Sequence, residues 1–342
     1  MKTKTRALAF YLPQYYPTPE NDEWWEKGFT EWTNVTKAKP FFPGHHQPNL
    51  PSELGFYDLR LPEIREQQAE LAKTHGIEGF IYWHYWFGNG KRLLDRIFKE
   101  VLESKKPDFP FCLSWANETW KGIWHGMGDQ PLAEQLYPGI EDYTAHFYQV
   151  LPAFKDPRYI RVHNKPLFMI YRIIGFEDAE VFIELWQKLA KENGLEGIYF
   201  VGQVFDYRRI DEVLKRGVDA VNELRLNEIQ RYEKKPNFSV KEKIILALKK
   251  IPADIPKYDY KNVIKYLTGE ESKLNHVIPT IFPNWDHSPR SKGKTFIVHD
   301  STPELFRQHV KEVIEIVEKK PAEENFVVIK SWNEWAEGNY ME

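Results

Sequence analysis

Residues 326–337 read FVVIKSWNEWAE. An apolar run of strand length, FVVIKSW, ends there on Asn333, Glu334 and, after a second tryptophan, Glu337. Successive side chains of a strand point to opposite faces, so carboxylates three residues apart meet only if the backbone leaves the strand and turns. In a helical turn residues three apart bring their Cβ atoms to roughly 5–6 Å. The stretch therefore predicts a strand whose C-terminal end holds two carboxylates over one place.

The same pattern occurs seven more times. RALAFYL (6–12), GFIYWHYWF (79–87), PFCLSWA (110–116), PLFMIYR (166–172), IYFVGQV (198–204), VDAVNEL (218–224) and VIPTIF (277–282) all have strand length and apolar composition. Between them, periodicity predicts helices over 62–75, with proline in its first turn, and over 91–105, 142–151, 178–193, 207–216 and 302–319. Asp178 and Ser301 are candidate N-caps, and Gly76 and Gly194 candidate stops. Eight strands alternating with helices, without a linker-like stretch, predict a single (β/α)8 barrel domain spanning 1–342. A doubly wound sheet is the alternative, but neither GxGxxG nor GxxxxGK[ST] follows any strand. Two long connections, 13–60 and an insertion at about 225–276 with a helix near 240–250, belong on the C-terminal face, where barrel active sites are built from loops. The lysines of that insertion are expected to form a solvated face over helices at the rim.

Lys+Arg (47) nearly balance Asp+Glu (50), a formal charge of −3, so nucleic acid is not an expected partner. Cys112 is the only cysteine and sits in an apolar run, which excludes a disulfide framework and reads as core. No stretch approaches a membrane span and the N-terminus has no apolar leader core, so no integral membrane segment and a cytoplasmic location are expected. The composition does not address oligomeric state. Aromatic residues make up 15%, many beside polar residues at strand ends in HYWF, WANETW, FPNWD and SWNEW. Such clusters suit a sugar cleft, where pyranose faces lie on indoles and hydroxyls reach carboxylates and amides.

Polar and aromatic residues at strand ends converge on one pocket in a barrel. The candidates are Tyr11 and Gln14 after the first strand, Trp83, His84 and Tyr85 at the second, Trp115, Asn117, Glu118 and Trp120 at the third, and Tyr171 and Arg172 at the fourth. Gln203, Glu223, and Asn284 with Trp285 and Asp286 follow at the next three, and Trp332, Asn333, Glu334 and Glu337 at the last. Glu31, Trp32 and His46 join them from the first long loop. SWANE (114–118) and SWNE (331–334) echo each other, each placing an Asn-Glu pair after Ser-Trp. Glutamates at strand ends are what glycoside hydrolysis requires: one carboxylic acid to protonate the leaving oxygen and one carboxylate as nucleophile or base. Like charges so close should raise the proton affinity of one member, and Glu337 is the expected acid. HEXXH, Asp-X-Asp and GxSxG are all missing, and no metal or cofactor is expected.

The runs AFYLPQYYPTPENDEWWEKGFTEWTNV, FPGHHQPNLPSELGFYDLR, GFIYWHYWF, LSWANETW and SWNEWAEGNY, in that order from Phe10 to Tyr340, resemble the bacterial WbsX family, also described as glycoside hydrolase family 99-like. WbsX-type proteins are associated with O-antigen and other surface-polysaccharide gene clusters and carry a glycosyltransferase label. Family 99 enzymes are (β/α)8 endo-α-mannosidases. The resemblance implies an oligosaccharide or polysaccharide substrate, Glu334 as the base that deprotonates a sugar 2-hydroxyl, and Glu337 as general acid/base. It also implies retention through an epoxide-like intermediate. The family pattern continues past NYxE into a closing helix, so with Glu342 the last residue of this sequence an eighth helix is expected to be missing or to lie outside this chain.

Overall fold

The computed structural model describes residues 5–122, 131–233, 238–291 and 295–342. All eight expected strands form: β1 (Arg6–Tyr11), β2 (Gly79–His84), β3 (Phe111–Trp115), β4 (Lys165–Ile170), β5 (Tyr199–Val204), β6 (Ala220–Glu223), β7 (Val277–Ile281) and β8 (Phe326–Ile329). Each pairs in parallel with the next, and β8 pairs in parallel with β1. The sheet is thus a closed parallel barrel, a (β/α)8 fold with no free edge.

Among the described residues the helices are α1 (Pro19–Trp24), α2 (Glu31–Lys37), α3 (Pro62–Thr74), α4 (Asp95–Ser104), α5 (Ile140–Phe154), α6 (Ala179–Glu192), α7 (Ile210–Leu214), α8 (Leu226–Tyr232), α9 (Val240–Leu248), α10 (Tyr260–Val263) and α11 (Pro303–Val317). Helices α3 to α7 and α11 follow the predicted periodicity. Gly76 and Gly194 end α3 and α6 with φ of 82° and 81°, a conformation that glycine adopts without Cβ strain. The N-caps differ from expectation. The Asp178 carboxylate accepts from Tyr143 Oη (2.9 Å) and leaves α6 without a side-chain cap, while α11 is capped by Thr302, whose hydroxyl accepts from Leu305 N at 3.3 Å.

Alternation sorts the aromatic residues between two layers. Phe10 and Trp83 stack at 4.4 Å, whereas their neighbours Tyr11 and Tyr82 meet at 4.6 Å in the layer between strands and helices. In that outer layer Trp186 of α6 packs on Phe168, Phe182 and Phe200 and is fully buried. Burial of each such side chain contributes roughly 1.5–3 kcal/mol.

The two long loops lean on each other above the C-terminal end of the barrel. Phe41 and Phe42 from the first cluster with Phe238, Leu246, Ile251, Ile255 and Ile297. The insertion is more than the expected helices, although its residues 234–237 lie outside the described ones. Its strand Lys257–Asp259 pairs with Ile297–His299, which pairs in turn with Trp285–Asp286. This small sheet fixes the loop after β7, and with it one wall of the candidate site.

After β8 the backbone returns along the outside of the barrel. The Glu342 carboxylate accepts from Gln68 Nε2 (2.8 Å), Trp335 Nε1 (2.8 Å) and Tyr57 Oη. Burial nevertheless outweighs these donors and pushes the carboxyl up to about 7. A folded-state value above the unfolded one adds stability that is complete below about pH 4.5 and disappears as the pH rises through about 7. Glu342→Gln is therefore expected to unfold at higher denaturant than the parent at pH 8, by at most about 3 kcal/mol, and to show no advantage at pH 4.5. Equal midpoints at pH 8 would refute this account of the carboxyl.

Candidate active site

Beyond β8 the chain turns as the spacing requires. Trp335–Glu337 is a single 3-10 turn, closed by Glu337 N donating to Glu334 O at 3.1 Å. Ser331 Oγ accepts from Glu334 N at 2.9 Å and pins the start. Gly338 follows with φ 67°, so close to the neighbouring loop that a Cβ would lie 2.9 Å from Asp286 N.

Glu334 is 3% exposed. Its Oε1 accepts from Trp83 Nε1 (3.0 Å) and Lys330 Nζ (3.4 Å), while its Oε2 is buried without a hydrogen-bond partner among the described residues. Lys330 is itself buried, with Nζ 4.8 Å from the Trp83 ring centroid and 5.2 Å from that of Phe10. An unpartnered buried acceptor costs about 1–3 kcal/mol, more if charged, so folds keep one only where something else compensates.

Arg290 gathers three carboxylates. Its guanidinium lies 2.5 Å from Glu337 Oε1, 3.1 Å from Glu31 Oε2 and 3.6 Å from Glu334 Oε2. The first and last distances share one nitrogen, so those oxygens of Glu334 and Glu337 are at most about 6 Å apart. Retaining glycosidases hold their carboxyls about 5–5.5 Å apart and inverting ones about 6.5–9.5 Å. Burial opposes the charge on Arg290, and Glu31, Glu337 and Glu334 more than reverse that, holding the guanidinium firmly protonated. Burial raises the Glu31 carboxyl against the opposing effect of Arg290. It also pushes Glu337 up, but the cations of the cluster hold Glu337 well below the ordinary carboxylate range. His287 Nε2 lies 3.3 Å from Glu337 Oε2 and accepts from Trp285 Nε1 at 2.6 Å. The depression comes from His287 and Arg290 beside the carboxylate, with a smaller share from Lys330. The expectation that Glu337 is the carboxyl of raised proton affinity is corrected accordingly.

Aromatic walls enclose the cluster. Trp83 meets Tyr171 edge-on, and Arg172 lies over the Tyr171 and Phe205 rings while pairing with Glu118 at 2.8 Å. Opposite, Tyr85 feels the charges of Glu334, Arg290, Glu31 and Glu337 and packs against Trp120, which meets Trp24. Trp285 reaches the cluster through His287. Gln14 adjoins it through its carbonyl, which accepts from Glu31 N.

The remaining strand-end candidates have other commitments. Tyr11 donates to Gln68 Oε1 of α3 (2.6 Å), and His84 shares a proton with His146 at 2.8 Å behind the barrel, where burial lowers it to about 3. Trp115 packs on His146, Phe176 and Phe182, and Trp332 on Phe80, so both sit outside the strands. Trp32 donates to Tyr57 O and packs on Tyr15 and Trp335. Gln203 lies inside the barrel, donating to Asn222 Oδ1. Glu223 is buried behind β6 with Ser272 and Arg225. His46 and Asn284 line a separate cavity of about 540 Å³ that contains none of the three carboxylates. The echo of SWANE and SWNE is structural: Asn117 bonds both backbone groups of Arg172, and Asn333 both those of Leu12, each tying a strand end to its neighbour.

Two residues of the cluster escaped sequence reading. Lys330 was legible as a lone charge in an apolar strand. Arg290, in DHSPRSKGK, has the composition of any solvated turn.

Residues 7–342 match the family described as Glycosyltransferase WbsX. The chain belongs to the WbsX family. It is 33% identical over 338 residues to the uncharacterized protein WxcX of Xanthomonas campestris pv. campestris strain B100, covering 98% of this chain and 47% of WxcX. The chain thus spans about half the length of the curated relatives it matches. Among solved structures, the GH99 endo-alpha-mannosidase of Bacteroides thetaiotaomicron superposes with TM-score 0.56 at 16% identity, covering 98% of this chain and 86% of that one. A glycoside hydrolase-like protein superposes with TM-score 0.57 at 17% identity, covering 100% and 88%. At these identities the superpositions establish a shared barrel fold for this WbsX member.

Proposed function

We propose that the chain is a carbohydrate-active enzyme, a retaining glycoside hydrolase acting on an α-mannoside-like bacterial polysaccharide or oligosaccharide. The observation that carries this reading is Glu334 Oε2, buried, without a hydrogen bond among the described residues, ion-paired to Arg290 at 3.6 Å and within about 6 Å of a Glu337 oxygen. In the proposed reaction the sugar 2-hydroxyl gives its proton to Glu334, O2 bonds to C1, and the glycosidic C1–O bond breaks. Glu337 protonates the leaving oxygen. Water then opens the three-membered ring at C1, giving a proton to Glu337, while Glu334 returns one to O2. Two inversions at C1 retain configuration without a covalent glycosyl-enzyme.

Trp83 and Lys330 hold the other Glu334 oxygen, which fixes the plane of the carboxylate. Glu337 must be protonated for the first step, and Arg290 opposes this. Sugar atoms entering between the carboxylates take the place of the guanidinium, so the acid role requires Arg290 to withdraw. The same salt bridge favours a second reading, glycosyl transfer: an ionised Glu337 suits a base toward an acceptor hydroxyl, and an activated donor needs no acid.

The test presents α-manno-oligosaccharides and, separately, nucleotide-activated sugars with an acceptor, following products by proton NMR. Hydrolysis releasing the α-anomer first is expected. Turnover of activated donors alone would replace the reading with transfer, and glycan binding without turnover of either would make the chain a binding protein.

A further inference from the structure

Helix α9 has two apolar faces. Leu246 is buried among Phe41, Phe42 and Phe238, whereas Val240, Ile244 and Leu248 are 76%, 57% and 80% exposed. At 3.6 residues per turn those three fall on one narrow arc with Ala247, and Lys241 and Lys243 flank it on opposite sides. Lys249 and Lys250 follow at the C-terminal end. Between Ser239 and Lys250 there are four lysines and one acid, Glu242, which is engaged by the Ser239 capping box and by Lys257. A capped helix that buries one face has no local need for three aliphatic side chains on the other.

We propose that α9 docks the protein on an anionic lipid surface. Aliphatic side chains between flanking lysines match the headgroup boundary: the stripe enters the acyl region, and the lysine stems extend outward so that their ammonium groups meet lipid phosphates. A second copy of the chain is a poor occupant, because two such faces would oppose their lysines, and the one acid of the helix, Glu242, is already engaged. The insertion follows β6 at the same end of the barrel as Glu334 and Glu337, so docking turns that end toward the membrane. No helix among the described residues is long and apolar enough to cross a membrane, and the contact is peripheral.

The test is co-sedimentation of the full chain with vesicles of phosphatidylcholine and of phosphatidylcholine mixed with phosphatidylglycerol. Binding to the mixed vesicles alone, weakened by salt, is expected. I244S/L248S and K241E/K243E change exposed residues, and each should lower the bound-to-free ratio about tenfold or more without shifting thermal unfolding. Failure of the parent to bind anionic vesicles at low salt would overturn the proposal, as would undiminished binding by both variants. Self-association of the parent abolished by I244S/L248S would also overturn it, assigning the stripe to a second copy.

Discussion

Glu334→Gln is expected to leave the fold intact and to lower turnover on any glycan the parent cleaves by roughly 10²–10⁴-fold, the usual cost of removing a general acid–base group. The amide still offers an oxygen to Trp83 and Lys330 but cannot take the 2-hydroxyl proton. Glu337→Gln should cost a similar factor on ordinary glycosides and much less on an aryl glycoside, whose leaving group departs without protonation. That contrast separates the two roles, since a merely structural carboxylate would not distinguish leaving groups. Steady-state kinetics beside thermal unfolding measures both. Parental activity in both variants would end the Glu334/Glu337 mechanism.

The second large effect is on stability. Trp115 is 1% exposed, packs on Phe176, Phe182 and His146, and donates from Nε1 to Trp86 O at 2.9 Å. Trp115→Ala is expected to destabilise the chain by about 3–5 kcal/mol through the cavity it leaves. The protein that remains folded should keep the parental KM, because the indole faces the helices. A stable variant with a raised KM would put Trp115 in the cleft, as the sequence alone led one to expect.

Trp115 also marks where the sequence stopped being legible. The barrel could be read because eight apolar runs alternate with helical periods, and composition carries that pattern directly. The Glu334/Glu337 pair could be read because a spacing of three at a strand end has one compact solution, the turn that Trp335–Glu337 makes. Face assignment was harder. A polar or aromatic residue at a strand end belongs to the pocket only if its side chain points inward, and a shift of one residue reverses this. Trp83 faces inward and His84 outward, although both stand in one apolar run. Asn117 and Asn333 were legible as polar strand-end residues, but not as staples, since their partners are backbone groups 55 and 321 residues away. Arg290 was beyond reach because its role depends on three acids from two separate segments, Glu31 in the first long loop and Glu334 with Glu337 after β8, meeting around a third loop.

The central claim is that Glu334 Oε2 waits for a sugar 2-hydroxyl, and a crystal structure with a manno-configured azasugar, cationic at the anomeric position, tests it most directly. The account predicts that the inhibitor's 2-hydroxyl lies within about 2.7–3.0 Å of Glu334 Oε2, with Arg290 drawn out from between Glu334 and Glu337. An inhibitor seated in the cavity beside His46 and Asn284, with Arg290 still bridging the two carboxylates, would contradict it.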